Sequence, residues 1–102
     1  MLDQLYSIGK GYNRRFGGNS PFQVMTRLLE ECGELAAEVN HFEGMGVKRE
    51  KHGDPDKQHL AKEIQQVLVC ALQLALHYQV EAELEDTILR SVERMKQEGL
   101  IE

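Results

Sequence analysis

Tryptophan is absent from the 102 residues and proline occurs only twice. Proline punctuates loops and edge strands, so a chain built mostly from helix-forming residues with so few breaks predicts an all-α fold. Cysteine is as scarce as proline, at two residues. One pair without a wider cysteine framework excludes a disulfide-stapled secreted scaffold and predicts reduced thiols in the cytoplasm. A cationic excess is lacking too: the formal net charge is −5. That excludes a general binder of nucleic acid polymers, whose phosphates reward clustered Lys and Arg, while leaving room for a single nucleotide delivered with metal. No signal-peptide pattern opens the chain, and the longest apolar run, Val67 to Leu76, contains Gln73 and is far too short to span a bilayer. The expectation is one domain over residues 1–102 with no membrane partner. Helical chains of this size often complete their core by oligomerising.

Helical periodicity divides the chain into four segments. The first, about Leu2 to Arg15, carries Leu2, Leu5, Ile8, Tyr12 and Phe16 at helical spacing, with Gly9 and Gly11 weakening it. Ser20, Pro21 and Gln23 form an N-cap, a first-turn proline and a capping-box partner, so a second helix is predicted over 21–42. Asp54 before Pro55 repeats the cap-plus-proline pattern and predicts a third helix over 55–79. A fourth, over 81–98, ends before Gly99. Between the second and third, residues 44–53 are glycine-rich and basic, which reads as a mobile loop whose cations either face a ligand or are solvated.

The most informative stretch is Glu30-Glu31-Cys32-Gly33-Glu34 on the second helix. Apolar residues at 25, 28, 29, 32, 35, 36 and 39 have the spacing of one buried face. At about 100° per residue, Glu31, Glu34 and Glu38 fall within roughly 60° of one another at the edge of that stripe. Like charges so close repel, and they call for basic partners or a hard divalent cation such as Mg²⁺ or Mn²⁺. The third segment is apolar around most of its circumference, yet His59, Glu63, Gln66, Gln73 and His77 follow steps of 4, 3, 7 and 4 and form one polar stripe. Facing Glu31 and Glu34, that stripe would enclose an oxygen-rich pocket.

At these residues the chain resembles the MazG-like, all-α nucleoside triphosphate pyrophosphohydrolases. That family carries Glu-Glu-x-x-Glu on one helix and Glu-x-x-Asp on the next; Glu30-Glu31-Cys32-Gly33-Glu34 matches the first in full. In the second, Glu63 is present and Gln66 stands where aspartate is expected. The resemblance implies a four-helix bundle completed as a homodimer or homotetramer, hydrolysing a nucleoside triphosphate to monophosphate and pyrophosphate with Mg²⁺, or Mn²⁺, as cofactor. Carried over by position, Glu31, Glu34, Glu63 and Gln66 would hold metal, while Glu30 or Glu38 would ligate a further ion or act on the attacking water. Gln66 offers a neutral amide oxygen, which weakens a cation site by one charge and cannot serve as a base.

Other readings compete at each position. The glutamates of the second helix are also placed to pair with Arg27 on the surface, and a chain with Gln66 is also compatible with a nucleotide-binding or interaction module that does not turn over. A di-iron carboxylate bundle needs Glu-x-x-His on two helices, and the sequence has no such pair in register. His59 and His77 read as cap or core-edge residues, Cys32 and Cys70 as packing residues in apolar surroundings. Tyr12 and Phe16 read as core or as a stacking surface for a base, and Arg90, Arg94 and Lys96 as solvated charges or phosphate contacts.

Overall fold

The computed structural model describes residues 1–17, 20–44 and 53–102. Among them it is helical without strands: α1 spans Leu2–Phe16, α2 Pro21–Phe42, α3 Lys57–Tyr78 and α4 Glu81–Gln97. The basic stretch of the second connection, including Lys48, Arg49, Lys51 and His52, lies outside the described residues. Among the described residues no helix is long and apolar enough to cross a membrane.

Side-chain capping sets the starts of α2 and α3. Gln23 donates its backbone N–H to Ser20 Oγ at 3.2 Å, and its side-chain Oε1 accepts from Ser20 N–H at 2.9 Å, so both halves of the predicted capping box form. The third helix starts later than expected. Asp56, not Asp54, is its cap, accepting from the Gln58 N–H at 2.9 Å, and Pro55 lies before the helix rather than in its first turn. Two aspartates flank Pro55, and the one that reaches a free N–H two residues on takes the role. Gln79 closes α3 in the left-handed conformation, φ 57°. Gly99, at φ 73°, follows the end of α4 where the Leu100 N–H reaches back to Met95 O at 2.9 Å.

Helix α3 is the hub. Helices α2 and α1 both pack along it, whereas α4 touches it only lightly. The buried apolar set is small: Val24 from α2 and Val69, Cys70, Leu72 and Ala75 from α3. Gly9 permits the close approach of α1, since a Cβ there would stand 3.2 Å from Gln73 Cγ and 3.5 Å from Leu76 Cδ1. At the other end, His41 donates from Nε2 to Gly53 O at 2.6 Å, tying the end of α2 to the approach to α3.

One expectation is reversed in the orientation of α2. The stripe predicted to be buried is largely open: Met25, Leu29 and Val39 are 41, 65 and 48% exposed, and Cys32 and Ala36 are also on the surface. The side turned toward α3 carries Val24, Arg27, Glu31, Glu38 and His41 instead. Polar groups thus occupy much of the intrachain contact, and an apolar stripe is left facing outward.

Candidate metal centre

The polar face of α2 meets the polar stripe of α3. Glu31, one turn from Glu34, and Glu63 on the opposing helix bring carboxylate oxygens within 4.8 Å of one another. Their exposure is graded: Glu63 is buried, Glu31 half-buried and Glu34 exposed. Burial holds the Glu31 carboxyl above its ordinary value, reinforced by the charges of Glu34 and Glu63 and by hydrogen bonds to both. Glu63 Oε2 is buried without a hydrogen-bond partner among the described residues. An oxygen-only donor set, one orphaned buried acceptor and mutual repulsion together suit a hard divalent cation.

Glu38 lies outside this trio, only 1% exposed, and accepts from His59 Nδ1 at 2.8 Å. The other ring nitrogen, Nε2, stands 3.4 Å from Glu63 Oε1. His59 therefore links Glu38 to the cluster, a role the α3 stripe hinted at without revealing the partner. Glu30 is exposed, outside the trio, in an open groove with Phe22, Gln23, Thr26 and Arg27. Arg27 pairs with none of the glutamates among the described residues. Its Nη2 donates to Gln73 Oε1 at 3.5 Å, and its Nε is buried without an acceptor.

Beside the cluster lies a cavity of about 200 Å³. Glu31 and Gln66 line its side toward the carboxylates, and Tyr12, Phe16, Arg27, Cys70 and Gln73 complete it. Gln66 is thus on the same face as Glu63, half-buried. Tyr12 and Phe16 are not core residues: their rings stand 6.3 Å apart, and Phe16 is 62% exposed with the Arg15 guanidinium 5.5 Å from its ring. Gln73 leaves the stripe to serve α1, donating from Nε2 to Gly9 O at 3.4 Å and Asn13 Oδ1 at 3.2 Å. The sequence placed Gln73 in the polar stripe and Arg27 as a surface partner of the glutamates, but not their junction with α1; an arginine one turn before Glu31 on the same face was the available signal for its place at the site.

Several residues fall elsewhere. His77 is exposed and meets Tyr78 edge to face, with centroids 4.9 Å apart. Arg90 pairs with Asp86 at 2.6 Å on the outer surface of α4, where Arg94 and Lys96 are also exposed. Cys32 is exposed rather than packed, because its stripe faces outward; Cys70 is buried, and burial pushes its thiol up despite the opposing charge of Arg27.

Comparison with known proteins agrees with this geometry. A segment of 51 residues is 43% identical to the uncharacterized protein YpjD of Bacillus subtilis (strain 168), covering 50% of this chain and 46% of that relative. The chain thus matches about half the length of that curated relative. No solved structure matches it significantly. The family description "MazG nucleotide pyrophosphohydrolase domain" matches residues 19–98, a span holding all of α2, α3 and α4 with the three clustered carboxylates, and the chain belongs to that family.

Proposed function

We propose that this protein is a Mg²⁺-dependent nucleoside triphosphate pyrophosphohydrolase, with Mn²⁺ able to substitute, releasing pyrophosphate and a nucleoside monophosphate. The observation that carries the reading is the convergence of Glu31, Glu34 and Glu63 within 4.8 Å in a chain of the MazG family. These three carboxylates would hold the ion, with the Gln66 amide oxygen in the fourth place. A bound divalent cation would offset the polyphosphate charge and favour ionisation of water nearby.

The chain's own groups account for the rest. Glu38, fixed by His59 at 2.8 Å, is a carboxylate kept apart from the ion-holding trio, suited to accept a proton from the attacking water or to hold a further ion. Glu30, on the rim, is the weaker candidate for that role because it is exposed. Water adds to the α-phosphorus, the bond to the bridging oxygen of the β-phosphate breaks, and the water's proton passes to the base. Burial of Glu63 and half-burial of Glu31 reduce solvent screening, so a charge held between them acts more strongly on the phosphates.

A second reading rests on Gln66. With a neutral amide in place of the family's aspartate, the same site would bind nucleotide without turnover, as an interaction module. Gln66→Asp separates the two. In an active enzyme it raises Mg²⁺ affinity and an already measurable rate; in a binding module it starts from no rate.

The assembly we propose is a homodimer or homotetramer of a single 1–102 domain, working in the cytoplasm. Exposed Met25, Leu29 and Val39 on α2 and Ile88, Leu89, Val92 and Met95 on α4 support it. Incubating the purified protein with a panel of nucleoside triphosphates and Mg²⁺, and measuring pyrophosphate, tests the activity. Failure to release pyrophosphate from any nucleotide would exclude it.

A further inference from the structure

The two glutamate contacts of His59 leave one nitrogen that hydrogen bonding does not account for. Glu38 Oε1, on a side chain only 1% exposed, stands 2.8 Å from Nδ1, which places the ring proton on that nitrogen. Nε2 then presents a lone pair, and at 3.4 Å it meets another acceptor, Glu63 Oε1. Two acceptors side by side repel unless a positive centre lies between them. The separation is long for a charge-assisted hydrogen bond, which closes to about 2.7–2.9 Å. It suits two ligands of one metal ion, because atoms about 2.1 Å from a shared ion stand about 3.0–3.4 Å apart at octahedral to tetrahedral angles.

The sequence builds this arrangement from simple spacing. His59 and Glu63 are four residues apart on α3, the step that puts both side chains on one helix face. Glu38 comes from α2 on the other side of the ring, so carboxylate, imidazole and open nitrogen follow one another, and the outer carboxylate fixes the tautomer and aims Nε2. The His59 side chain is 49% exposed, which opens the ring to an ion arriving from solvent. Imidazole also restricts which ion that is. Mg²⁺ keeps to oxygen ligands, whereas Co²⁺, Ni²⁺ and Zn²⁺ take nitrogen readily. A carboxylate has two oxygens, so Glu63 can serve this pair and the oxygen-only cluster together, as bridging ligands do between ions about 3.5–4 Å apart.

Resting on the metal-centre reading above only through Glu63, we propose that His59 Nε2 and Glu63 Oε1 form a mixed nitrogen and oxygen site for a late first-row divalent ion. Glu38 orients the imidazole, and the site stands beside the carboxylate cluster that takes Mg²⁺. Co²⁺ is the probe, titrated in excess Mg²⁺ into protein without a histidine tag and in a Cys32→Ser background, which removes the exposed thiol. Proton magnetic resonance is expected to show a paramagnetically shifted, solvent-exchangeable imidazole N–H, the signature of ligation through Nε2 with Nδ1 still protonated. That signal disappears in His59→Ala and His59→Gln. Co²⁺ affinity falls about tenfold or more in both variants, while Mg²⁺ affinity, measured by calorimetry, stays within about twofold and reports that the cluster is still folded.

Absence of a shifted imidazole N–H in the protein with His59 intact overturns the proposal, as does a signal that survives in His59→Ala. Loss of Co²⁺ and Mg²⁺ affinity in equal proportion overturns it as well, since His59 would then only shape the carboxylate cluster. The hydrolase reading is separate from all three outcomes, because it stands or falls on pyrophosphate release.

Discussion

Glu31 is the residue on which opposing effects are most evenly set. Its carboxyl is raised by burial first and by Glu34 and Glu63 next, so the folded state without metal takes up a proton more readily than the unfolded chain does. A raised carboxylate therefore costs stability above its folded value, and that cost disappears as pH falls through it toward the ordinary range. The expected outcome is that metal-free wild type gains thermal stability on mild acidification, relative to Glu31→Gln, and that Glu31→Gln is the more stable protein at neutral pH. Parallel melting-temperature profiles for the two proteins would contradict this. His59 has the opposite character. It joins Glu38 and Glu63 at 2.8 and 3.4 Å, so His59→Ala removes a hydrogen-bonding contact from each of two buried carboxylates and should cost about 1–3 kcal/mol in urea unfolding. His77→Ala, at an exposed site, is expected to cost under about 0.5 kcal/mol in the same measurement.

At the scale of the helices, α1 carries two glycines with opposite consequences. Gly11 is exposed with no atom within 4 Å of an added Cβ, so Gly11→Ala should stabilise by about 0.5–1 kcal/mol through helix propensity alone. At Gly9 the same change meets Gln73 Cγ at 3.2 Å, and Gln73 is pinned by its own hydrogen bonds. The propensity gain is offset there, and the difference between the two variants in chemical denaturation checks the packing of α1 on α3. Local chemistry made these elements legible in advance: the capping box marked the start of α2, and Gly99 the end of α4. The pairing of Glu31 and Glu34 with Glu63 was legible too, because steps of three and four place side chains on one face whatever lies opposite. What periodicity could not decide was which face of α2 turns toward α3. An apolar stripe announces that something covers it, not whether the cover belongs to the same chain. The Arg27–Gln73–Gly9 junction and the His41–Gly53 bond were hidden for the same reason, since each joins residues that only the packed helices bring together.

The whole molecule is too open for its mass. A compact chain of 11.7 kDa exposes about 5,900 Å², whereas this one exposes 7,680 Å². Its radius of gyration is 16.6 Å, against about 13 Å for a compact domain of 100 residues. The excess of roughly 1,800 Å² is of the size one subunit buries in an extensive homodimer. Light scattering at micromolar concentration should give at least twice 11.7 kDa. Leu29→Glu, a charge introduced into the exposed α2 stripe, should weaken that association by about tenfold or more. A monomeric wild type would contradict the expected assembly.

The central claim is that the three converging carboxylates make this MazG-family chain a metal-dependent nucleotide hydrolase. Its most direct test is pyrophosphate release from a nucleoside triphosphate panel with Mg²⁺, comparing wild type with Glu63→Gln, a change of charge at nearly constant shape. Measurable, Mg²⁺-dependent release by the wild type is expected, with a loss of about 100-fold or more in the variant. Release that persists in Glu63→Gln, or that proceeds equally well with the metal chelated, would contradict it.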